Sequence, residues 1–425
     1  MSPIALPSQT AAVLYGAKDL RIEQRPLWPP QQDQCQVQIV STGLCGSDLH
    51  YYMLGRNGDF ALQAPLVLGH EAAGVITSVG PGVLQKYPHL VPGTRVAVEC
   101  GVMCRDCKYC HSGRYNLCKS LRFCSSAKTF PHLDGTLQEK MNHPAHVLHP
   151  LPDTLSFDLA ALAEPLSVLL HAGRRAGIVP PSSTHTLGNP SAPIPSSSSY
   201  TPSNTIPFAQ GKTVLVLGVG AIGLLACALA KAYGATRVCA IDINQDRLNF
   251  ARREGFAESI YCLPLPPKSS APSKDDALKR AKDNANTALS AFEEPDGFDV
   301  VFECTGAEGC ILMSVFTALT GGKITLVGMG TSTLSNFPLA AAALREVDLI
   351  GSFRYADTYP EAIRLLASPR SSPTSESFGE KVSKLVSHKF NLADTQKAFE
   401  LVARGRDEQG NMVLKVVVGN GESES

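Results

Sequence analysis

Short runs of β-branched and apolar residues, among them CQVQIVSTG, EAAGVITSVG and GTRVAVEC, alternate with Gly and Pro breaks from Ala11 to about Leu151. Such runs, with little helical periodicity, predict a twisted antiparallel β domain. Near Leu159 the spacing changes to LAALAEPLSVLLHAGRRAGI, which predicts a helical stretch interrupted at Pro165 and the start of a second domain. Beyond it lie TVLVLG, a helix expected from about Ala221 to Tyr233, RVCAIDI, a further helical segment, DVVFECTG and KITLVGMG. Apolar strands alternating with helices need cover on both faces, so this part reads as an α/β, doubly wound domain with a parallel sheet. From about Ser352 the pattern is mixed and ends in the strand-like MVLKVVV, which is expected to rejoin the first domain. The boundaries are therefore 1–165, 166–351 and 352–425.

Two stretches break the alternation inside the second domain. Pro180 to Gln210 is rich in Ser and Pro and almost free of large apolar residues. It cannot bury enough surface to offset its ordering entropy, so it reads as a flexible surface excursion. Leu263 to Asp296 opens with PLPPKSSAPSK and continues into DDALKRAKDNANTALSAF, read as a solvent-exposed helix in a solvated insertion. A third polar loop is expected near Ser368 to Glu380.

Composition narrows the function. The 425 residues, 44% of them apolar, suit a two-domain enzyme. Lys and Arg number 38, as do Asp and Glu, which leaves no net field to gather nucleic acid or anionic lipid as partners. The N-terminal stretch lacks the continuous apolar run of a secretory signal, and no later run would span a bilayer, so an intracellular, cytoplasmic protein is expected. In that setting the 13 cysteines stay reduced. Cys35, Cys100, Cys124, Cys227, Cys239, Cys262, Cys304 and Cys310 have no ligand spacing and read as small apolar residues of core or loop.

Three constellations carry chemistry. Gly218-Val219-Gly220-Ala221-Ile222-Gly223 follows TVLVLG directly and opens a helix, the context in which G-x-G-x-x-G binds a dinucleotide pyrophosphate. Asp242 ends the next strand at the position of a ribose-binding carboxylate; it would repel a 2'-phosphate, so NAD is favoured over NADP, and Arg247 could flank the adenine. Cys104, Cys107, Cys110 and Cys118, spaced C-x2-C-x2-C-x7-C, have the form of a closed tetrahedral zinc site that braces a loop. Without a basic balance or a recognition helix, a nucleic-acid-binding finger is disfavoured. Cys45 in CGSDLH, with His70 and Glu71 in LGHE, offers a thiolate, an imidazole and a carboxylate, a set short of four fixed ligands that leaves zinc a position for water or substrate.

CGSDLHYY, GRNGDF, LGHEAAGVITSVG, the cysteine quartet, AEPLSV, GVGAIG and GSFRY, in this order, resemble the zinc-dependent medium-chain dehydrogenases, and within them the polyol branch of sorbitol and xylitol dehydrogenases. The resemblance covers nearly the whole chain apart from the excursions. It implies a GroES-like β-rich catalytic domain built from both chain ends around a central Rossmann domain, and a homo-oligomer, dimer or tetramer.

The resemblance also implies roles for single residues. Cys45, His70 and Glu71 would bind catalytic zinc, and Glu164 stands where typical alcohol dehydrogenases have a cysteine; which glutamate touches the metal stays open. Tyr51, Glu164, Arg354 and Tyr355 would line the site of a small polyol substrate. Gly218, Gly220, Ile222, Gly223, Asp242, Arg247, Val327, Gly328, Met329, Ser352, Phe353 and Arg354 would contact NAD. Ser47 and His50 would relay the proton, with Glu164 and a water as the other route. The competing readings are an alcohol or threonine dehydrogenase on a smaller substrate, and a noncatalytic NAD-binding protein of the same fold.

Overall fold

The computed structural model describes residues 6–180, 209–264, 274–330, 333–334 and 336–419. Most of the Pro180–Gln210 excursion and the opening of the second insertion lie outside these residues. The chain divides into two compact units. One holds the described residues up to Ser167 and from Ala356 onward, and the other holds those between Val168 and Tyr355.

In the first unit, the strands Gln34–Gly43, Glu71–Val79 and Arg95–Val98 pair antiparallel side by side. The C-terminal strand Lys415–Gly419 completes the other side of Gln34–Gly43, with Val417 opposite Gly43. Each strand turns alternate side chains to opposite faces. Val37, Ile39, Ala73, Ile76, Val96 and Val98 are buried among them. A short helix, Gly46–Leu54, follows the first of these strands and buries Tyr51 and Tyr52, the latter stacked on Phe399 at 5.0 Å. No described helix is long and apolar enough to cross a membrane.

The second unit is a parallel sheet of Thr213–Leu217, Arg237–Asp242, Ser259–Cys262, Phe298–Glu303, Ala318–Leu326 and Asp348–Gly351. Taken in chain order, its six strands stand in the sequence 3-2-1-4-5-6, the doubly wound arrangement whose order reverses at the first strand and leaves a crevice at the carboxyl ends of the strands.

Two expectations require correction. The helical stretch near Leu159 does not break at Pro165: the helices are Phe157–Ala161 and Ala163–Ala176, with the break at Leu162. Pro165 lies in the first turn, where its missing N–H has no intrahelical partner to lose. The charged stretch after the second polar opening is not simply a solvated insertion. Lys274–Phe292 is a helix between the third and fourth strands, and it buries Ala281, Ala285, Ala288, Leu289 and Phe292. Those positions fall on one helical face, and Phe292 meets Phe298 edge-on at 5.9 Å. Alanines that read as surface residues form the seam because their small side chains admit a neighbouring helix.

Candidate active site and its two metal centres

The quartet lies within one short stretch of the chain, residues 104–118. Cys107 opens the one-turn helix Lys108–His111, and Cys118 closes the short turn Tyr115–Leu117. The sulfurs of Cys104 and Cys110 lie 3.9 Å apart, those of Cys107 and Cys110 3.6 Å, and those of Cys118 and Cys104 3.5 Å. Zinc–sulfur bonds of about 2.3 Å place tetrahedral sulfurs roughly 3.8 Å apart, so the quartet is set to hold zinc with no position left open. Backbone N–H groups of Asp106 and Cys107, together with Cys118, pull the Cys104 thiol down to about 6, which favours the ligating thiolate.

The open site is built where two strand ends and a helix start converge. Cys45 is the N-cap of Gly46–Leu54, His70 immediately precedes the strand Glu71–Val79, and Glu71 begins it. Their donor atoms all lie within 4.8 Å of one another. Glu71 is fully buried and His70 nearly so. A Cβ at Gly43, opposite Glu71 in the ladder, would come within 2.4 Å of Glu71 Oε2. Only glycine leaves the carboxylate its place.

Asp48, absent from the sequence-derived site, organises these ligands. It is fully buried; one carboxylate oxygen accepts from the Gly69 amide at 3.2 Å and from Ser125 Oγ, and the other accepts from the Cys45 amide at 3.3 Å. Oδ1 also lies 3.3 Å from His70 Nδ1. A carboxylate facing Nδ1 leaves Nε2 for a metal and fixes the ring's orientation. Burial opposes charge on both groups, but the attraction between them prevails: Asp48 is held below the usual carboxylate range and His70 well above the usual imidazole range. The signal was present in CGSDLH, where Asp48 is the third helical residue after the N-cap and completes a capping box with Cys45.

Lys415 is the second residue that sequence reasoning missed. Its buried ammonium donates to Glu71 Oε1 at 2.9 Å, Glu71 Oε2 at 2.7 Å and the Leu44 carbonyl at 3.1 Å. Burial pulls its pKa down, but Glu71 and Cys45 outweigh it and hold the pKa above its ordinary value.

The remaining predicted residues fall as follows. Glu164, in the first turn of Ala163–Ala176, is buried; its charge is felt by Lys415 and Cys100. The cluster of donor atoms contains Glu71 and not Glu164. Tyr51 is buried and its hydroxyl oxygen accepts from the Ala127 amide at 2.9 Å, which leaves its O–H to donate. His50 is exposed, with Nδ1 3.2 Å from Asn57 Oδ1, and Ser47 is half-buried nearby. Cys100 and Cys124 are fully buried in the core, as their lack of ligand spacing implied. Cys124 hydrogen-bonds Cys100 and His143, and these contacts bring its thiol to about 5 despite burial.

In the second unit, the residues predicted to meet the dinucleotide gather at the carboxyl ends of the parallel strands. Gly218 takes φ 87° directly after Thr213–Leu217, and Gly220 is the N-cap of Ala221–Ala232. A Cβ on Gly223 would strike the Gly218 carbonyl at 1.8 Å, whereas one on Gly220 meets nothing within 4 Å. That open space is what a pyrophosphate needs. Ile222 follows in the first turn. Asp242 ends its strand with one oxygen accepting from the Val219 amide at 2.7 Å and the other from Asn244 at 2.8 Å, so it shapes the glycine turn as well as facing the crevice. Arg247 keeps a buried Nε without a partner among the described residues. Val327 and Gly328 donate their amides to the Glu303 carbonyl at 2.9 Å each, and Met329 is exposed. Ser352 and Phe353 follow the last strand, with the Arg354 guanidinium 5.1 Å from the centre of the Phe353 ring. Sequence reasoning missed Glu303, whose buried carboxylate accepts from the amides of Thr305 and Gly306 and shapes the loop beside Gly218.

A doubly wound dinucleotide crevice, an open Cys–His–Glu centre and a closed four-cysteine lobe together define a zinc-dependent dehydrogenase. Residues 31–153 match the alcohol dehydrogenase GroES-like domain and residues 221–368 the zinc-binding dehydrogenase domain. Sorbitol dehydrogenase of Gallus gallus is 36% identical over 395 residues, 93% of this chain and 93% of that protein. The Homo sapiens sorbitol dehydrogenase is 35% identical over 407 residues, 95% and 96% of the two chains. Among solved structures, L-idonate 5-dehydrogenase of Escherichia coli superposes with a TM-score of 0.74 at 26% identity, covering 97% of this chain and 98% of that one. The chain belongs to the zinc-dependent medium-chain dehydrogenase family, and its cofactors are zinc and NAD.

Proposed function

We propose that this protein oxidises a sugar alcohol of the sorbitol or xylitol type to the ketose, with NAD as hydride acceptor. The observation that carries the reading is the donor set. A single thiolate and one imidazole are gathered with one buried carboxylate, Glu71, and a second buried carboxylate, Glu164, acts on the Lys415 ammonium that holds Glu71, which suits a polyhydroxylated substrate better than a thiolate-rich site would. The sorbitol dehydrogenases above, similar along nine-tenths of the chain, support it.

Cys45, His70 and Glu71 would hold the catalytic zinc. When bound, the metal lowers the pKa of a coordinated hydroxyl, and NAD takes the hydride. The protein's own part is positioning and proton movement. Asp48 fixes the His70 ring, and Lys415 holds Glu71 and offsets charge that would otherwise accumulate around Cys45. Tyr51, Arg354 and Tyr355 would orient the remaining hydroxyls. Ser47 and then the exposed His50 would pass the proton to solvent, an imidazole being suited to exchange near neutral pH. A cytoplasmic location, where the quartet's thiols stay reduced, belongs to the same reading.

An NAD-reduction assay over sorbitol, xylitol, ribitol, arabinitol and simple alcohols, with zinc content measured in parallel, tests it. NADH is expected from at least one polyol; zinc-loaded protein that reduces NAD only with small alcohols would replace this reading with the alcohol dehydrogenase one. We also propose a homo-oligomer. Asp348–Gly351 ends the parallel sheet as an edge strand, and nearby Leu339, Leu344 and Leu349 are exposed, a combination that invites pairing with a second copy. Light scattering is expected to give a dimer or tetramer; a monomer at micromolar concentration would refute it.

A further inference from the structure

The four-cysteine lobe contains a residue that no metal role explains. Tyr115 lies between Cys110 and Cys118 and is buried. Its hydroxyl donates to Glu99 Oε1 at 2.7 Å and accepts from the backbone amide of Asp357 at 2.9 Å. Glu99 is itself nearly fully buried. Its other carboxylate oxygen lies 2.7 Å from His149 Nε2, and its carbonyl 2.9 Å from His143 Nε2. His149 stacks on Tyr359 at 4.9 Å, and the Tyr359 hydroxyl donates to the Val98 carbonyl at 3.0 Å. Ala356 packs in the same small core as Met103, Cys110, Tyr115 and Cys118. The lobe is therefore anchored to the segment where the chain enters the first unit at Ala356.

That segment is strained. Arg354 has φ 51° and Asp357 φ 53°, left-handed conformations that non-glycine residues adopt at a cost and that persist only where surrounding contacts hold them. Burial and the neighbouring Glu99 keep the Tyr115 phenol well above its ordinary range. It stays protonated, donating to Glu99 while its oxygen accepts from Asp357.

We infer that Tyr115, oriented by Glu99, is a positioning residue that clamps the left-handed Asp357 and so sets the course of the backbone bearing Arg354 and Tyr355. The four-cysteine lobe then acts on substrate affinity as well as on stability. This rests on the reading of Arg354 and Tyr355 as polyol contacts.

The test is Tyr115→Phe, which keeps the ring and removes both hydrogen bonds. The KM for the oxidised alcohol is expected to rise about tenfold, the scale of a slightly misplaced binding group, with kcat within about twofold. Adding Asp357→Gly should recover most of the loss, because glycine takes positive φ without strain. Glu99→Gln, which keeps an acceptor for the phenol but loses the charge, should give a smaller rise of about threefold. An unchanged KM in Tyr115→Phe, or no recovery with glycine at 357, overturns the clamp. Hydrogen exchange needs no substrate: amides of 354–358 are expected to exchange faster in Tyr115→Phe than in the parent, and equal rates overturn the inference whatever the enzyme oxidises. A parent protein that oxidises no sugar alcohol defeats the functional reading alone.

Discussion

Cys45→Ala is expected to abolish turnover while leaving NAD binding intact. The substitution removes one of three donors gathered within 4.8 Å. The two that remain already have protein partners: His70 faces Asp48, and both Glu71 oxygens accept from Lys415. A metal that stabilises developing charge contributes several kcal/mol to the transition state, and about 4 kcal/mol corresponds to roughly a 10^3-fold loss of kcat. The residues proposed to meet NAD, from Gly218 to Arg354, all belong to the second unit, so a fluorescence titration with NAD should give an unchanged affinity. Bound zinc should fall by one ion per chain. Cys104→Ala should also lose one ion, but its main effect should be a lower melting temperature with turnover retained, because it opens a closed lobe whose bearing on substrate is only through the hold of Tyr115 on Asp357. Equal stability losses in the two variants, each with turnover abolished, would show that the two centres do not divide the work between catalysis and structure.

What the sequence made legible is what local spacing encodes. C-x2-C-x2-C-x7-C closes on itself because its ligands lie within a few residues of one another, and GVGAIG works as a single strand-to-helix turn. The partners that tune these motifs come from distant chain segments, and no spacing rule reaches them. Lys415 lies 344 positions from Glu71 and reads in MVLKVVV as an ordinary strand residue; only the pairing of Lys415–Gly419 beside Gln34–Gly43 brings it in. Tyr115 and Asp357 are likewise 242 positions apart. The helix Lys274–Phe292 was misjudged for another reason. Charged residues dominate its composition, while the face that matters is mostly alanine and carries little hydrophobic signal. Asp48 was legible and overlooked, since a carboxylate three residues past an N-cap marks a capping box, and here that box also supports a ligand.

Lys415→Met is expected to cost about 3–5 kcal/mol of stability in metal-free protein, the range for removing one partner of a buried ion pair. Glu71 is fully buried, and the ammonium uses its donors on both Glu71 oxygens and on the Leu44 carbonyl. Methionine fills much of the same volume but leaves the carboxylate with no compensating charge. Two results would tie the loss to that carboxylate rather than to packing. Adding Glu71→Gln should restore most of the stability in a urea titration, because replacing both charges removes the desolvation problem instead of exposing it. Zinc should also restore more stability to Lys415→Met than to the parent, since the unpaired carboxylate is a metal donor and a ligand that binds the folded state stabilises it in proportion to its affinity. The difference in melting temperature between zinc-loaded and chelator-treated protein is thus expected to be larger in Lys415→Met. A difference equal to the parent's, with no recovery in the double variant, would mean that Lys415 contributes only its packing.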